Sequence, residues 1–257
     1  MSRFKVLQFN MQFGQEWDDA DPDRAPVDLA QTVAEIRRVN ADIVLLQEVE
    51  QAQPGGKQPD PPPNYTRLRA ALPEYDSLFA YPNADARELP FGIGLAIFSR
   101  TPLREPSRHV LASPPIQFQF EGKTMTPTDR LMLGANTTIG GRELHIFNVH
   151  LLAFFMLKSS SEQHMQQRAA VLKVLQAQPG PTVLGGDFNV SGHDSLLKQF
   201  GAGGFTSVQS SEITWRRRPY VLDHLFHNGQ LRPLRHAVEP TLASDHHLLS
   251  AEFEFTP

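Results

Sequence analysis

Short apolar runs that end in a polar residue recur along this chain and constrain its fold more than any other feature. The runs are rich in Val, Ile, Leu and Phe, and turn-forming residues separate them. Runs of this kind predict β-strands, and Glu121-Gly122 and Gly140-Gly141 between neighbouring runs predict tight hairpin turns. The predicted strands occupy residues 3–10, 42–47, 75–81, 92–99, 116–120, 131–138, 143–150, 181–186, 221–226 and 247–255.

Two stretches between these strands have helical spacing of apolar residues. Asp28 can cap the first helix, and Ser159 with Glu162 forms a capping-box pattern before the second. Their apolar stripes consist of Leu29, Val33 and Ile36 in the first and Met165, Ala169, Leu172 and Leu175 in the second. Because each helix has one apolar stripe to place on a sheet, we predict an α/β fold: a four-layer α/β sandwich with two packed, mostly antiparallel sheets flanked by helices.

The length of 257 residues, with 40% hydrophobic residues, is sufficient for one large core. We therefore predict a single domain over residues 1–257. Residues 51–66 contain five prolines and are predicted to form a loop without regular helix or strand. A domain linker at this place would leave only about 50 residues before it, too few for a separate stable core.

Charge and cysteine content exclude several classes of protein. The balance of 24 basic and 28 acidic residues gives a net charge of -4, which disfavours a general DNA coat or scaffold. The chain has no cysteine, so disulfides, thiolate zinc sites and cysteine nucleophiles are excluded. Any metal must be held by oxygen or imidazole, which favours hard cations such as Mg²⁺.

Targeting signals are not visible in the sequence. Residues 1–10 have the pattern of a strand rather than of a signal peptide, and no run of about 18 apolar residues occurs. We therefore expect no transmembrane helix and a cytoplasmic location, with a secreted chain already trimmed of its signal as the alternative.

Polar residues that can bind a metal or a phosphate stand at the ends of the predicted strands. Each of them alone is typical of a turn or a cap, but their recurrence favours one site at a sheet rim. Carboxylates and amides for a cation, together with histidines for proton transfer, are what hydrolysis of a phosphate ester requires. No nucleophile elbow, P-loop or His-Glu-x-x-His zinc helix competes with this pattern.

These segments resemble, in order, the motifs of the endonuclease/exonuclease/phosphatase superfamily, which includes abasic-site nucleases, pancreatic-type deoxyribonucleases, inositol-polyphosphate phosphatases and neutral sphingomyelinases. The resemblance covers nearly the whole chain and implies a metal-dependent phosphoric ester hydrolase of the phosphodiesterase type that uses Mg²⁺ or Mn²⁺. The motifs are Phe9-Asn10, Leu46-Gln47-Glu48-Val49, Gly94-Leu95-Ala96-Ile97-Phe98-Ser99-Arg100, Asn148-Val149-His150-Leu151, Gly186-Asp187-Phe188-Asn189, Leu222-Asp223-His224-Leu225-Phe226 and Ser244-Asp245-His246.

The resemblance implies metal ligands and water-positioning groups. Glu48 would be the principal metal ligand, assisted by Asn10 and Asp245. Asp187 and Asn189 would position the attacking water and a phosphate oxygen or a second metal.

The resemblance also implies groups for the phosphate and for proton transfer. His246, held by Asp223, would contact the scissile phosphate and act in proton transfer. His150 would be a candidate acid for the leaving group. Arg130, at the head of a strand, either binds a phosphate oxygen as a bidentate donor or is simply solvated.

Two residues bear on the substrate. His150 is similar to the histidine of the deoxyribonuclease, sphingomyelinase and inositol-phosphatase branches, which disfavours abasic-site repair. Glu50 stands where pancreatic-type nucleases carry a basic residue, which disfavours duplex DNA. A phosphate-ester substrate is expected, and three alternatives stay open: a nuclease on DNA or RNA, a sphingomyelinase-like lipid phosphodiesterase, and a non-catalytic phosphate-binding module.

Two segments have two interpretations each. The apolar residues 151–157 either pack in the core or place apolar side chains beside the site, where they would favour a lipid or another apolar leaving group. The cluster Trp215-Arg216-Arg217-Arg218 either stacks on a base and binds phosphate or forms a solvated hairpin tip.

Overall fold

The computed structural model describes residues 2–257 and contains two six-stranded sheets. The strands are β1 Arg3–Asn10, β2 Ile43–Gln51, β3 Asp76–Ala80, β4 Gly92–Ser99, β5 Arg104–Leu111, β6 Phe118–Phe120, β7 Lys123–Met125, β8 Arg130–Ile139, β9 Arg142–His150, β10 Thr182–Asp187, β11 Phe205–Ser207, β12 Asp223–Asn228, β13 Leu231–Glu239 and β14 Leu248–Phe255. The helices are α1 Leu29–Val39, α2 Pro63–Ala71, α3 Gln166–Gln176 and α4 His193–Ala202.

The two sheets have the same plan, with one parallel pair at the centre and antiparallel pairs outside it. The first sheet has the order β13-β14-β1-β2-β4-β3 and the second β11-β12-β10-β9-β8-β5. The parallel pairs are β1 with β2 and β9 with β10. Because parallel neighbours end at the same edge of a sheet, the carboxyl ends of these four strands supply the rim where the polar residues stand.

Apolar side chains fill three layers between the sheets and the helices. Inward-facing residues of both sheets, such as Ile43 and Ile146, form the central core. Helices α1 and α2 cover the outer face of the first sheet, and α3 and α4 cover that of the second. This arrangement confirms the predicted α/β sandwich.

Several local predictions are also confirmed. Asp28 caps α1 by accepting a hydrogen bond of 2.8 Å from the Ala30 backbone N–H. The turn at Glu121-Gly122 joins β6 to β7 and that at Gly140-Gly141 joins β8 to β9, with positive φ at all four residues. Such φ values define the two-residue turns that suit the twist of a hairpin.

Two predictions are wrong, one about a helix cap and one about a loop. The Ser159–Glu162 pattern does not cap α3, which begins at Gln166 without a side-chain cap; Glu162 instead accepts a hydrogen bond from Ser195 at 2.5 Å. The proline-rich residues 51–66 are not wholly irregular, since α2 begins at Pro63. Proline fits the first turn of a helix because its missing N–H would have no helical partner there.

The sequence-based strands miss four elements of the sheets, and helix α4 was missed as well. The missed strands are β5, β7, β11 and β13. Strands β5, β11 and β13 lie at sheet edges, while β7 belongs to a separate two-stranded hairpin with β6. Strands β5 and β13 carry charged residues at many positions, because one side of each strand faces solvent. They therefore lack the apolar run from which strands were predicted. Within residues 2–257, no helix has the length and apolarity needed to span a bilayer.

Candidate active site

Asn10 connects one carboxylate of each sheet. Its Nδ2 atom donates to Glu48 Oε1 at 2.9 Å and to Asp187 Oδ2 at 3.0 Å. Asn10 ends β1 and Asp187 ends β10, so the contact joins the rims of the two sheets. The side chain of Asn10 is fully buried and thereby fixes how closely the two acids approach.

Glu48 reaches this position through a bulge in β2. The pairing of β2 with β4 shifts register between Gln47 and Glu50, and Glu48 has a φ of 51°. A positive φ at a non-glycine residue costs on the order of 1–3 kcal/mol and occurs mainly where the surroundings enforce it. The bulge turns the carboxylate out of the strand alternation and into the rim.

Two histidines face the acid pair: His150 ends β9 of the second sheet, and His246 lies in the loop before β14 of the first sheet. His150 Nε2 lies 3.8 Å from Glu48 Oε1 and 3.6 Å from Asp187 Oδ2. His246 Nε2 lies 3.7 Å from the same Asp187 oxygen. Asp187 is therefore shared by two groups whose ligand atoms lie within 4.8 Å of one another: Glu48, His150 and Asp187, and Asp187, Asp223 and His246.

Asp223 holds the ring of His246. Its Oδ2 lies 2.7 Å from His246 Nδ1, and its Oδ1 accepts from Gln8 Nε2 at 2.8 Å. The Ser244 hydroxyl accepts from the His246 backbone N–H at 3.1 Å and donates to the Asn10 carbonyl at 2.8 Å. With Nδ1 directed to Asp223, the Nε2 atom is the one that faces Asp187 and the cavity.

A buried polar ladder behind the site was not predicted from the sequence. Gln8 Nε2 donates to Gln47 Oε1 at 2.7 Å, and Gln47 Nε2 donates to Asn148 Oδ1 at 2.7 Å. Asn148 in turn donates to two carbonyls of the first sheet. The signal was present in β1, where Gln8 follows Phe4 and Val6 on the inward face. A buried polar side chain at such a position needs partners across the sheets.

Burial raises the pKa of both central carboxyls. For Glu48 it raises the pKa to about 7, with a further contribution from Asp245 and opposition from the Asn10 hydrogen bond. For Asp187 burial likewise dominates and raises the pKa to about 8, against the positive charge of His246. Asp187 is buried and Glu48 is largely so, and together with the imidazole of His150 they offer ligand atoms for a divalent cation, whose charge would offset the desolvation of the carboxylates.

The pKa values of the two histidines are shifted in opposite directions. Burial lowers the pKa of His246, but Asp223, Asp187 and Asp245 outweigh it and raise the pKa to about 10. Burial, with the charges of Arg130 and His246, lowers the pKa of His150 to about 3. At neutral pH the site therefore presents one charged and one neutral imidazole.

Asp245 lies beside this centre with one oxygen engaged. Its Oδ2 accepts from Arg217 Nε at 2.6 Å and from Trp215 Nε1 at 3.1 Å, and its Oδ1 is 4.0 Å from His246 Nε2. Arg217 also pairs with Asp23 at 2.8 Å. For Trp215 and Arg217 the interpretation of residues 215–218 as a solvated hairpin tip is therefore wrong, because these two side chains are held at the site by their hydrogen bonds to Asp245.

Arg130 and Asn189 complete the rim. Arg130 Nη1 lies 3.6 Å from Glu88 Oε1, and its Nε atom is buried without a partner among residues 2–257. Asn189 donates its backbone N–H to Asp187 Oδ1 at 2.9 Å and its side-chain amide to the Leu151 carbonyl at 3.1 Å. Asn189 therefore holds the carboxylate of Asp187 and stabilises the loop that follows β10.

These residues surround a cavity of about 720 Å³. All the predicted site residues come together here, with Asn10 and Asp223 buried behind the wall rather than on it. The wall itself includes Glu48, Arg130, His150, Asp187, Asn189, Asp245 and His246.

Some of the apolar residues 151–157 pack in the core, and others lie beside the site. Leu151, Leu152 and Phe154 are buried. Phe155 lines the cavity, and Met156 lines it with 62% of its surface exposed. The segment is thus core on one side and cavity wall on the other.

The position of Glu50 does not support the argument that this residue disfavours duplex DNA as the substrate. Its side chain is buried and accepts a hydrogen bond of 2.9 Å from the Tyr65 backbone N–H in α2. The carboxylate does not line the cavity, because the bulge at Glu48 shifts the register of the following residues. It therefore cannot act on a DNA backbone at the site.

Comparisons with known proteins agree with this architecture. An endonuclease/exonuclease/phosphatase from Bacteroides vulgatus is 17% identical, with a TM-score of 0.72 and full coverage of both chains. The human Nocturnin catalytic domain with bound sulfate is 20% identical, with a TM-score of 0.68, and the match covers 99% of this chain and 95% of that one.

A third structure, a mannosyl-6-phosphatase of Bacteroides thetaiotaomicron, is 16% identical with a TM-score of 0.69, over 98% of this chain and all of that one. At these identities the likeness shows the fold. None of the curated proteins matches the chain. The model of the Endonuclease/Exonuclease/phosphatase family matches residues 7–246. With nearly all of its length matched by that model, this chain belongs to the endonuclease/exonuclease/phosphatase family.

Proposed function

We propose that residues 1–257 act as one catalytic domain that hydrolyses phosphodiesters with the help of Mg²⁺ or Mn²⁺. The observation that carries the proposal is the acid pair Glu48 and Asp187, joined by Asn10 and faced by a charged His246 at 3.7 Å. A buried pair of carboxylates without a cation is costly, whereas a cation between such groups binds phosphate oxygens. Family membership supports the proposal, since members of this family are metal-dependent phosphoesterases.

Glu48 would hold the cation as its principal ligand with help from Asp245, and Asn10, whose Nδ2 atom donates to both Glu48 and Asp187, would assist by positioning these acids. The cation would neutralise charge on the non-bridging oxygens of the phosphate. Glu48 and Asp187 would lie on either side of Asn10, which donates a hydrogen bond to each and so fixes the distance between them.

Asp187 and Asn189 would position the attacking water. A carboxyl whose pKa lies near neutrality is suited to take a proton from water at neutral pH. Asn189 supports this geometry through its backbone N–H, which donates to Asp187 Oδ1 at 2.9 Å.

His246 would neutralise a phosphate oxygen and supply a proton, since Asp223 keeps its ring charged and oriented. His150, expected from the sequence to be the acid for the leaving group, would act there as a hydrogen-bond donor instead, because its lowered pKa leaves the ring neutral with one N–H to donate. The guanidinium of Arg130, with its buried unpartnered Nε, would donate to a further phosphate oxygen.

Release of nitrophenol from bis(p-nitrophenyl) phosphate tests the proposal. We expect turnover with Mg²⁺ or Mn²⁺, loss on chelation and recovery on readdition of the metal. Asp187→Asn and His246→Gln should abolish nearly all of it. Asp194→Asn and His236→Gln, which change an exposed aspartate and an exposed histidine outside the cavity, serve as matched controls.

A non-catalytic phosphate-binding module is the alternative from another class. It would bind inorganic phosphate with metal, as measured by calorimetry, yet release no nitrophenol. Equal turnover in Asp187→Asn and in the wild type would also contradict the proposed site.

A further inference from the structure

Apolar side chains line the same cavity as the acid centre. They include Val27, Phe91, Phe118, Phe155, Met156 and Leu157. Val27, Phe91 and Met156 expose 56%, 53% and 62% of their surface. Single exposed apolar residues are ordinary on a protein surface, but several that share one concave wall mark a binding surface.

Aromatic contacts hold two sides of this wall in place. Phe91 packs edge-on against Phe120 of the β6–β7 hairpin, with ring centroids 6.0 Å apart. Phe155 packs against Trp215 at 5.6 Å and Tyr220 at 5.4 Å. Because Trp215 also donates to Asp245, Phe155 is linked through Trp215 to the acid centre.

The arginines of the cavity are already paired with acids. Among the described residues that line the cavity there is no lysine. A polynucleotide needs free cations for the phosphates on either side of the scissile one, and the paired arginines leave little charge for them. The pairs are Arg87 with Asp85 at 2.5 Å, Arg130 with Glu88 at 3.6 Å, and Arg217 with Asp245 at 2.6 Å and Asp23 at 2.8 Å.

We propose that the substrate is a phosphodiester of an alkyl chain, with the chain lying along the wall formed by Phe91 and Met156 and the phosphate at Glu48 and Asp187. The inference rests on the proposed function. The cavity of about 720 Å³ is within the size range of small-molecule sites. A flexible methionine beside aromatic rings suits a flexible aliphatic chain, and each buried methylene should favour binding by about two- to fourfold.

Nitrophenyl alkyl phosphate diesters test this substrate class. We expect kcat/KM for nitrophenol release to rise from the methyl through the butyl to the octyl ester, with octyl exceeding methyl by at least about tenfold. All esters are used below their critical micelle concentrations, with saturating Mn²⁺. The nitrophenyl ester of thymidine 5′-phosphate serves as the nucleic-acid comparator and should be turned over more slowly than the octyl ester.

Variants in the wall supply the second measurement. Phe91→Ser and Met156→Ser should each lower the octyl-to-methyl ratio of kcat/KM by at least about threefold. Met165→Ser is the matched control, because Met165 is also exposed but does not line the cavity; its ratio should equal that of the wild type.

The outcomes separate this inference from the proposed function. Turnover that does not depend on chain length, or a thymidine ester better than the octyl ester, would overturn the alkyl substrate and leave the phosphoesterase intact. An octyl-to-methyl ratio that Phe91→Ser and Met156→Ser leave unchanged would overturn the assigned wall. Failure to turn over any of the esters would overturn the proposed function together with this inference.

Discussion

Gly92 leaves the space that the side chain of Glu48 occupies. A Cβ atom on residue 92 would lie 2.1 Å from Glu48 Oε2 and 2.3 Å from Glu48 Cβ, far inside van der Waals contact. Gly92 is the first residue of β4 and pairs with β2 just beyond the bulge that carries Glu48. The position of the proposed principal metal ligand therefore depends on residue 92 having no side chain.

We expect Gly92→Ala to impair the site while the sheets stay folded. The methyl group must displace Glu48, and a displacement of about 1 Å at a catalytic group costs on the order of 100-fold in rate. Kinetics of nitrophenyl ester hydrolysis at graded Mg²⁺ should show a lower kcat and a weaker apparent affinity for the metal. Gly201→Ala, where the added methyl meets open space on α4, is the control and should be at least as stable as the wild type. A Gly92→Ala enzyme with wild-type rate and metal affinity would refute the dependence.

Asp223→Asn should lower the pKa of His246 and weaken its charged form at neutral pH. Burial alone lowers the pKa of His246, and the carboxylates, with Asp223 foremost, raise it to about 10. Without that negative charge the pKa of His246 should fall in the metal-free protein, as NMR titration of the ring would show. The rate should fall about 10²- to 10⁴-fold. Asp76→Asn, which changes an acid outside the cavity, should alter neither quantity.

The metal-free protein should lose stability as the pH rises from about 6.5 to about 8. Glu48 and Asp187, with pKa values raised to about 7 and about 8, keep protons in the folded state that the unfolded chain releases near pH 4. The folded state thus binds more protons, so the free energy of unfolding falls with pH as both groups ionise, and His246, whose pKa is raised to about 10, acts in the same direction and continues the fall above pH 8. His150 and His224, whose pKa values are lowered, act in the opposite direction only below about pH 6.5.

Thermal unfolding across this range provides the measurement. Mg²⁺ should raise Tm more at the upper end than at the lower end, because the cation then replaces charge rather than protons. Glu48→Gln should flatten the slope of the metal-free protein, and Asp194→Asn should leave it unchanged. A Tm that rises over this interval in the metal-free wild type would contradict the assignment.

Arg130→Gln should weaken phosphate binding. Arg130 lines the cavity and its Nε atom is buried without a partner, so removal of the guanidinium should lower kcat/KM at least about tenfold and raise the inhibition constant of inorganic phosphate. Arg130→Lys should recover part of the loss, since it restores the charge without the planar fork. Arg104→Gln, at an exposed arginine of the edge strand β5, is the control. Unchanged phosphate inhibition in Arg130→Gln would remove Arg130 from the site.

Strands were predicted correctly from the sequence where their burial requires a run of apolar residues. The central strands β1, β2, β4, β9 and β10 are buried on both faces or nearly so and show as apolar runs. Prediction from the sequence failed at β13, where Arg232 and Arg235 face solvent and pair with Glu254 and Glu252. It failed at Glu162 because a capping pattern is local, whereas its partner Ser195 lies on another helix.

The amino-acid sequence by itself determined which chemical groups stand at the strand ends, because strand periodicity and the order of motifs are local properties of the chain. Only the tertiary structure decided which of these groups meet. Asn10 and Asp187 are separated by 177 positions yet lie 3.0 Å apart, because the packing of two sheets sets their distance. The different protonation states of His150 and His246 depend on burial and on neighbouring carboxylates, and this environment exists only after the two sheets have packed together.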